Sequence, residues 1–537
     1  MSNYDFRSLQ NGSDIRGVAL EGVAGEPVNL DDTAVSRLAR GFLFWLSRKT
    51  DKKPAELTVT VGRDSRLSGE HLCQVFVNAL APYGARVLDC GMASTPAMFM
   101  STVFPEFSAD GAVMVTASHL PWNRNGLKFF SAEGGLNKGD ITDIIIFAES
   151  DQILNSMPKA ADGAGAPDAP KYGVAAGDAP DLMDVYSAHL RSIITSETGA
   201  DQPLCGMKIA VDAGNGAGGF YATRVLEPLG ADISASQFLE PDGHFPNHQP
   251  NPENKEAMKA ITDTVLREHC DLGLIFDTDV DRSSAVDENG REISRNGIVA
   301  MAAALIADKY PGTTVVTDSV TSDELHTYLE GTLGLKHLRF KRGYRNVINK
   351  SIELNAAGTD SQLAIETSGH AAYGDNYFLD DGAFLATRIV VRAARLFAEG
   401  KGISTVIADL AEPAESVEVR LPISTAAAGS AASDSAHDEN AALDFGTIAE
   451  SALEAVRAWS DGCSHGDMNF AIVTPNYEGV RVSFTGAHRG WFLIRRSLHD
   501  PILPLNIESE DQGGTDAVRA LLAECLSAIP GVDVSPL

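Results

Sequence analysis

GAVMVTASHLP, Gly111–Pro121, opens as an unbroken apolar run and ends on Thr116, Ser118 and His119 ahead of a proline. A short continuous apolar run bounded by turn residues reads as a strand buried on both faces. The segment 111–118 is therefore a buried strand running into a turn. The end of such a strand is where α/β sheets present reactive side chains. Working outward, 56–62 (ELTVTVG) and 85–91 (ARVLDCG) read as further strands. Ahead of the first, 35–48 places Val35, Leu38, Phe42 and Trp45 on one face at helical spacing, and between the two 70–80 reads as a second helix. This alternation argues for a largely parallel sheet covered by helices.

The rhythm pauses at the Gly/Ala/Pro/Asp-rich stretch 161–180, which reads as a linker or insertion. It restarts with strands at 207–212 (MKIAVD) and 271–277 (DLGLIFD), and again from 298 with a helix and the strand 313–318 (TTVVTD). A second low-complexity stretch covers 424–440. A helix (445–458), three short strands (470–508) and a helix (515–527) follow, an α+β block. The expectation is three similar α/β domains with mixed, largely parallel sheets, at 1–182, 183–297 and 298–412, and a C-terminal α+β domain at 413–537. A chain of 537 residues suits about three to five domains.

Composition narrows the partners. Hydrophobic residues make up 44% and charged residues 22%, ordinary for a soluble globular protein. The net charge of −30 repels nucleic acid and anionic lipid, so neither is expected as a partner. An anionic small molecule would need a local cluster of Arg and Lys. The six cysteines are scattered without a CxxC pair, so neither a zinc site nor a disulfide framework is expected. The N-terminal MSNYDFRSLQ has no signal-peptide core, and no apolar run approaches the ~18 residues of a membrane span. A reducing cytoplasm is the simplest home.

Five segments carry chemistry. At the strand end, Ser118 beside His119 reads as a nucleophile or phosphate carrier. Asn125-Gly126-Leu127-Lys128, a turn and then a cation, could return to neutralise a phosphate. Read alone, the strand end is equally an ST-turn with a surface histidine. Next, Asp277-Thr278-Asp279-Val280-Asp281-Arg282 follows an apolar strand. Alternating residues of an extended chain point the same way, so the three carboxylates converge. Their repulsion is costly unless a cation sits there, and oxygen-only ligands select Mg²⁺ or Ca²⁺. An EF-hand is disfavoured because Arg282 stands where that loop needs glycine, although Glu288 falls at its twelfth position. A solvated acidic turn is the plainer alternative.

Gly214-Asn215-Gly216-Ala217-Gly218-Gly219 fits GxGxxG, but the next strand, expected near 231–236, is not closed by an acid. A tight strand-to-helix turn is the better reading than a nucleotide site. Glu366-Thr367-Ser368-Gly369-His370 offers a carboxylate and a hydroxyl that could meet adjacent sugar hydroxyls, or is a polar turn. Arg495-Arg496-Ser497-Leu498-His499-Asp500, after GWFLI, could cradle a phosphate in the guanidinium fork, or is a solvated basic turn.

Together and in this order, these motifs resemble the α-D-phosphohexomutase superfamily from Asp14 to Pro501. The resemblance implies four domains around a central cleft, with Ser118 as a phosphoserine. Asp277, Asp279 and Asp281, with the Ser118 phosphate, would hold one Mg²⁺ per chain. Arg282 and Lys128 would attend the transferring phosphate, His119 and His370 would line the cleft, and Glu366 and Ser368 would read the sugar. Arg495 and Ser497 match the distal phosphate cradle. Asp14-Ile15-Arg16-Gly17 is similar to the DIRG of phosphomannomutase/phosphoglucomutase members, which brings Arg16 to the reacting end. Arg63 and Arg66 fit the family's GxDxR, and Arg345 falls near a family cation.

Two segments depart from the pattern. Ile365 stands where many members have glycine, and the usual RxSGTEP loop here carries Leu498 and His499, so His499 is expected to take over a phosphate contact. The implied reaction interconverts hexose 6- and 1-phosphates, of mannose or glucose, through phosphoserine and a hexose 1,6-bisphosphate that also serves as activator. The implied protein is a monomer or homodimer. Phosphoglucosamine mutase, and a non-catalytic phosphosugar-binding protein, are the alternatives. A haloacid-type phosphatase would use an aspartate nucleophile and an acid-labile acyl phosphate.

Overall fold

The computed structural model describes residues 4–160, 180–424, 445–497 and 500–537. The low-complexity stretches and His499 thus lie almost wholly outside the described residues. The chain packs as two compact units, 1–310 with 355–408, and 311–354 with 409–537.

In the first unit, strands Thr58–Arg63, Arg86–Met92 and Gly111–Val115 pair in parallel, as the alternating pattern predicts. Helices Asp32–Thr50 and Gly69–Leu80 pack with them. The first begins where the Asp31 carboxylate accepts from the Ala34 amide. Its Val35, Leu38, Phe42 and Trp45 enter one core with Val59, Val113 and Phe129, each such side chain worth ~1.5–3 kcal/mol in transfer free energy.

Asn125–Lys128 is a correction. It is no turn but part of strand Arg124–Ser131, antiparallel both to Gly111–Val115 and to Asp14–Val18. Gly126 serves close packing there, since a Cβ would come within 2.2 Å of the Ile15 carbonyl oxygen. The pairing sets Lys128 opposite Met114, beside the strand that leads to Ser118, and Arg16 opposite Gly126, one strand further out.

A second sheet of this unit joins Ile209–Asp212 in parallel to Leu272–Phe276, which pairs antiparallel with Ser283–Asp287. The strand expected near 231–236 reduces to isolated bridges at Asp232 and Gln237. Strands Leu363–Ile365 and Ala371–Tyr373 form a hairpin about the Glu366–His370 turn. Cys73 and Cys270 are buried, and all six cysteines are free thiols.

In the second unit, Thr314–Thr317 and Lys336–Arg339 pair in parallel. The C-terminal block holds more strands than its sequence pattern suggests. Glu415–Pro422, Ile502–Ser509, Gly490–Ile494, Val480–Gly486, Met468–Ile472 and Ser464–His465 form one antiparallel sheet in that order. Helices Phe445–Ser460 and Gly514–Leu526 share its core.

Candidate active site

Ser118 occupies the left-handed region at φ 48°, a strained backbone for a non-glycine residue. Three neighbours hold it there. The Thr116 hydroxyl accepts from the Ser118 amide at 2.8 Å and donates to Asp64 Oδ2 at 2.6 Å. Asp64 in turn accepts from the Arg66 amide at 2.9 Å. The Arg66 guanidinium, 2% exposed, donates to the carbonyls of Ser118, Leu120, Pro121 and Arg124. Burial pushes Asp64 up to about 6 despite the arginine beside it. The terminal nitrogens of Arg66 are thus committed to main-chain carbonyls inside the loop that carries Ser118.

The Ser118 hydroxyl donates to Asp277 Oδ2 at 2.9 Å and accepts from Arg282 Nη2 at 3.0 Å. The same guanidinium donates to Asp277 through Nε and Nη2 at 3.0 and 2.9 Å, and to His119 Nδ1 at 2.7 Å. An imidazole nitrogen that accepts from arginine carries no proton. Burial and the charge of Arg282 both hold His119 far below its ordinary pKa, so it is neutral.

Asp277, Asp279 and Asp281 do converge, but on a tight turn with Val280 at φ 67°, not on an extended chain. Each carbonyl of that turn is gripped from elsewhere: Ala217 N–H donates to Thr278 O, Thr95 N–H to Asp279 O and Gly382 N–H to Val280 O, at 2.8, 2.8 and 3.1 Å. This explains the glycine-rich loop. A Cβ at Gly216 would stand 2.7 Å from Thr278 O, so the loop is a close-packed buttress of the acidic turn, consistent with the strand-to-helix-turn reading.

The three carboxylates are buried, and one oxygen each of Asp279 and Asp281 has no hydrogen-bond partner. Burial and the Asp281 charge drive Asp277 well above the usual carboxylate range, against the pull of the Arg282 guanidinium. Lys128 Nζ bridges Asp279 Oδ2, at 2.9 Å, and Asp281 Oδ2. Against its burial, those two charges hold the lysine well above its ordinary pKa. The Thr95 hydroxyl fixes Asp279 Oδ2 at 2.5 Å. Two orphaned oxygens in an all-oxygen set fit a hard divalent cation.

Arg16 Nη1 donates to the Thr116 carbonyl at 2.7 Å, which places it beside the serine turn. Arg63 donates to the Asp64 carbonyl and pairs at 3.8 Å with Glu70 of the covering helix Gly69–Leu80. Glu366 and Ser368 are buried in their turn, and the Ser368 hydroxyl has no hydrogen-bond partner among the described residues. His370 pairs by backbone bridge with Arg282, and its Nδ1 lies 2.5 Å from Asp380 Oδ2. Burial disfavours its charge, yet Asp380 and Asp281 lift it to about 9, making an imidazolium beside the acidic turn.

The sequence reading missed Asp64, Thr95 and Asp380. Asp380 stood in Asp380-Asp381-Gly382 ahead of an apolar periodic run, where Asp381 supplies the helix cap by accepting from Phe384 N–H. The doubled acid was the available signal.

In the second unit, Arg345 lies on helix Tyr344–Ala356, while Arg495 and Ser497 follow strand Gly490–Ile494. The Ser497 hydroxyl accepts from the Asp500 amide at 3.1 Å. Arg495 Nε is buried without a partner, and burial with the nearby Arg342 charge lowers its pKa. A half-buried guanidinium with an unpartnered Nε donor suits an anion.

Family models described as phosphoglucomutase/phosphomannomutase, alpha/beta/alpha domains I, II and III, match residues 7–152, 184–290 and 294–413. A phosphomannomutase/phosphoglucomutase of Pseudomonas aeruginosa is 27% identical over 97% of this chain and 96% of its own. A phosphoglucosamine mutase of Corynebacterium glutamicum is 33% identical over 62% of this chain and 69% of its own. The crystal structure of a phosphoglucomutase/phosphomannomutase family protein from Burkholderia thailandensis shares the fold, with a TM-score of 0.71, 23% identity and 99% of each chain covered.

Proposed function

The chain belongs to the phosphoglucomutase/phosphomannomutase family of the α-D-phosphohexomutase superfamily, and from that membership we propose that it is a hexose-phosphate mutase using Ser118 as its phosphate carrier. The observation that carries the assignment is the Ser118 hydroxyl, held between Asp277 and Arg282 at the mouth of three buried carboxylates.

Phosphoryl transfer passes through a loose transition state, so positioning and charge neutralisation supply most of the catalysis. Asp277, Asp279 and Asp281 would hold Mg²⁺, one per chain, which when bound supplies charge to the phosphoryl oxygens. Arg282 spans Asp277 and Ser118 and would keep a phosphate on that oxygen in line. Lys128, the His370 imidazolium and Arg16 would add positive charge around it. Phospho-Ser118 gives its phosphate to one sugar hydroxyl, forming a hexose 1,6-bisphosphate. The sugar turns over, and Ser118 takes the other phosphate back. Glu366 and Ser368 would grip the ring hydroxyls. Arg345, Arg495, Ser497 and His499 would receive the distal phosphate, which they can hold at either end of the sugar because they recognise charge.

Mannose and glucose phosphates are the proposed substrates and the 1,6-bisphosphate the activator. The proposal also keeps four domains divided near 182, 297 and 412, a cytoplasmic setting, and a monomer or homodimer. A second reading, a phosphoglucosamine mutase, is favoured by the 33% identity to the Corynebacterium relative. The test is twofold. Intact mass and peptide mapping after incubation with glucose 1,6-bisphosphate should find acid-stable phosphate on Ser118. Comparison of kcat/KM for mannose, glucose and glucosamine phosphates then separates the two readings. No phosphate on Ser118 and no turnover of any of the three overturns the assignment.

A further inference from the structure

Segment 247–253, Asn247-His248-Gln249-Pro250-Asn251-Pro252-Glu253, has neither helix nor strand, yet it is fixed at three points. At its start His248 Nε2 meets the Asp212 carboxylate at 3.0 and 3.1 Å, with both side chains at most 2% exposed. Asp212 ends the strand Ile209–Asp212 and also accepts from Gly214 N–H and the Gln237 amide, at 2.9 and 2.7 Å. A buried pair whose acceptors are so fully used has one arrangement available. Next, the Gln249 side-chain amide donates to the His119 carbonyl, directly behind Ser118. Last, Asn251 Oδ1 accepts from Arg282 Nη1 at 3.2 Å, and is itself aimed by the Glu253 amide at 3.0 Å. Pro250 and Pro252 flank Asn251 and restrict the backbone on both sides of it.

The Arg282 guanidinium needs this third support. Nε and Nη2 are held by Asp277, and Nη2 also reaches Ser118 and His119. Nη1 is the remaining corner of the plane. Asn251 accepts from it at 3.2 Å, while the Glu253 carboxylate lies 3.9 Å away, beyond hydrogen-bond distance. Without the Asn251 acceptor, the plane can tilt about the Asp277 edge toward Glu253, and the fork loses its match to phosphate oxygens. Resting on the role proposed above for Ser118 and Arg282, we infer that Asn251 is a positioning residue for Arg282. It is carried on a strap that His248–Asp212 locks to the sheet and Gln249 ties to the serine loop.

A double-mutant cycle between Asn251→Ala and Arg282→Lys tests this, with kcat and KM measured at saturating Mg²⁺ and bisphosphate. Asn251→Ala should lower kcat about tenfold and move KM by less than about twofold. In the Arg282→Lys background the same change should cost under about twofold, because the group it positions is gone. Asn251→Asp, which keeps the accepting oxygen, should return kcat to within about threefold of the parent. Equal losses in both backgrounds, a loss confined to KM, or an unaffected Asn251→Ala overturns the inference. Should Asn251→Ala fail to fold, Gln249→Met at its exposed position replaces it. That variant should lower kcat about threefold at constant KM, and an unchanged kcat overturns the strap's role. Full activity of Arg282→Lys alone refutes the underlying role of Arg282, and is read from that single variant.

Discussion

Arg66→Lys separates a residue that shapes the serine loop from one that grips substrate. The guanidinium spans four main-chain carbonyls, those of Ser118, Leu120, Pro121 and Arg124. A lysine ammonium keeps the charge but has no planar fork, and from a single nitrogen reaches about two of those four. Each charge-assisted hydrogen bond lost is worth ~1.5–3 kcal/mol, so two cost about 3–6 kcal/mol. The loop bears that loss while holding Ser118 at φ 48°, an angle that already costs a non-glycine residue about 1 kcal/mol. The expected results are a fall of at least about 3 kcal/mol in unfolding free energy and a fall in kcat of about 100-fold or more. KM for the sugar phosphate should stay within about threefold, since the committed donors face the loop. Urea denaturation and a coupled mutase assay measure the three quantities. A raised KM with kcat and stability intact would refute the reasoning and return Arg66 to the substrate contacts that its motif implies.

Ser118→Ala should abolish turnover and leave no site for phosphate from the 1,6-bisphosphate, with the thermal midpoint within a few degrees of the parent; normal activity sinks the mechanism. Asp279→Asn removes one negative ligand and one partner of Lys128, and should raise the Mg²⁺ needed for half activity about tenfold or more, read by metal titration with a calorimetric check on binding. Glu508, buried and accepting from the Trp491 indole at 3.0 Å, is pushed up from 4.5 to about 7 by burial and by Glu324. The folded state thus keeps a proton that the unfolded chain releases. Its stabilising effect is complete below about pH 4.5 and is lost as pH rises through about 7, amounting to about 3 kcal/mol. Denaturation followed by tryptophan fluorescence should show that slope in the parent and lose it in Glu508→Gln; parallel pH curves for the two count against it.

The parts of the fold that were legible are those where burial dictates residue type. Gly111–Val115 and Leu272–Phe276 are apolar throughout because both faces are covered, and helix Asp32–Thr50 shows its buried stripe at the helical period. What misled is equally physical. Asn125-Gly126 carries a turn signature, but its glycine answers to the Ile15 carbonyl across a strand pair, a constraint set more than 100 residues away in the chain. The segment 231–236 has the length of a strand but too few apolar residues to pair beyond single bridges.

At the site, residue types were readable and donor directions were not. The Arg63–Arg66 motif advertises cations at a loop. Whether each points at a ligand or into its own scaffold depends on where 118–124 closes over it, and that closure leaves Arg66 inside. The acidic triplet makes the same point from the other side. Alternation along an extended chain predicted that Asp277, Asp279 and Asp281 converge. They do, yet through a left-handed Val280 and a turn held by amides of Thr95, Ala217 and Gly382. Electrostatics opposes that convergence, so it stands only with cations among the acids, as Lys128 and Arg282 are here. The path to it is set by segments that the triplet's own sequence does not contain. Substituting those buttresses, Gly216 above all, should therefore perturb metal affinity as surely as substituting a ligand, because a Cβ there displaces Thr278 and with it the turn.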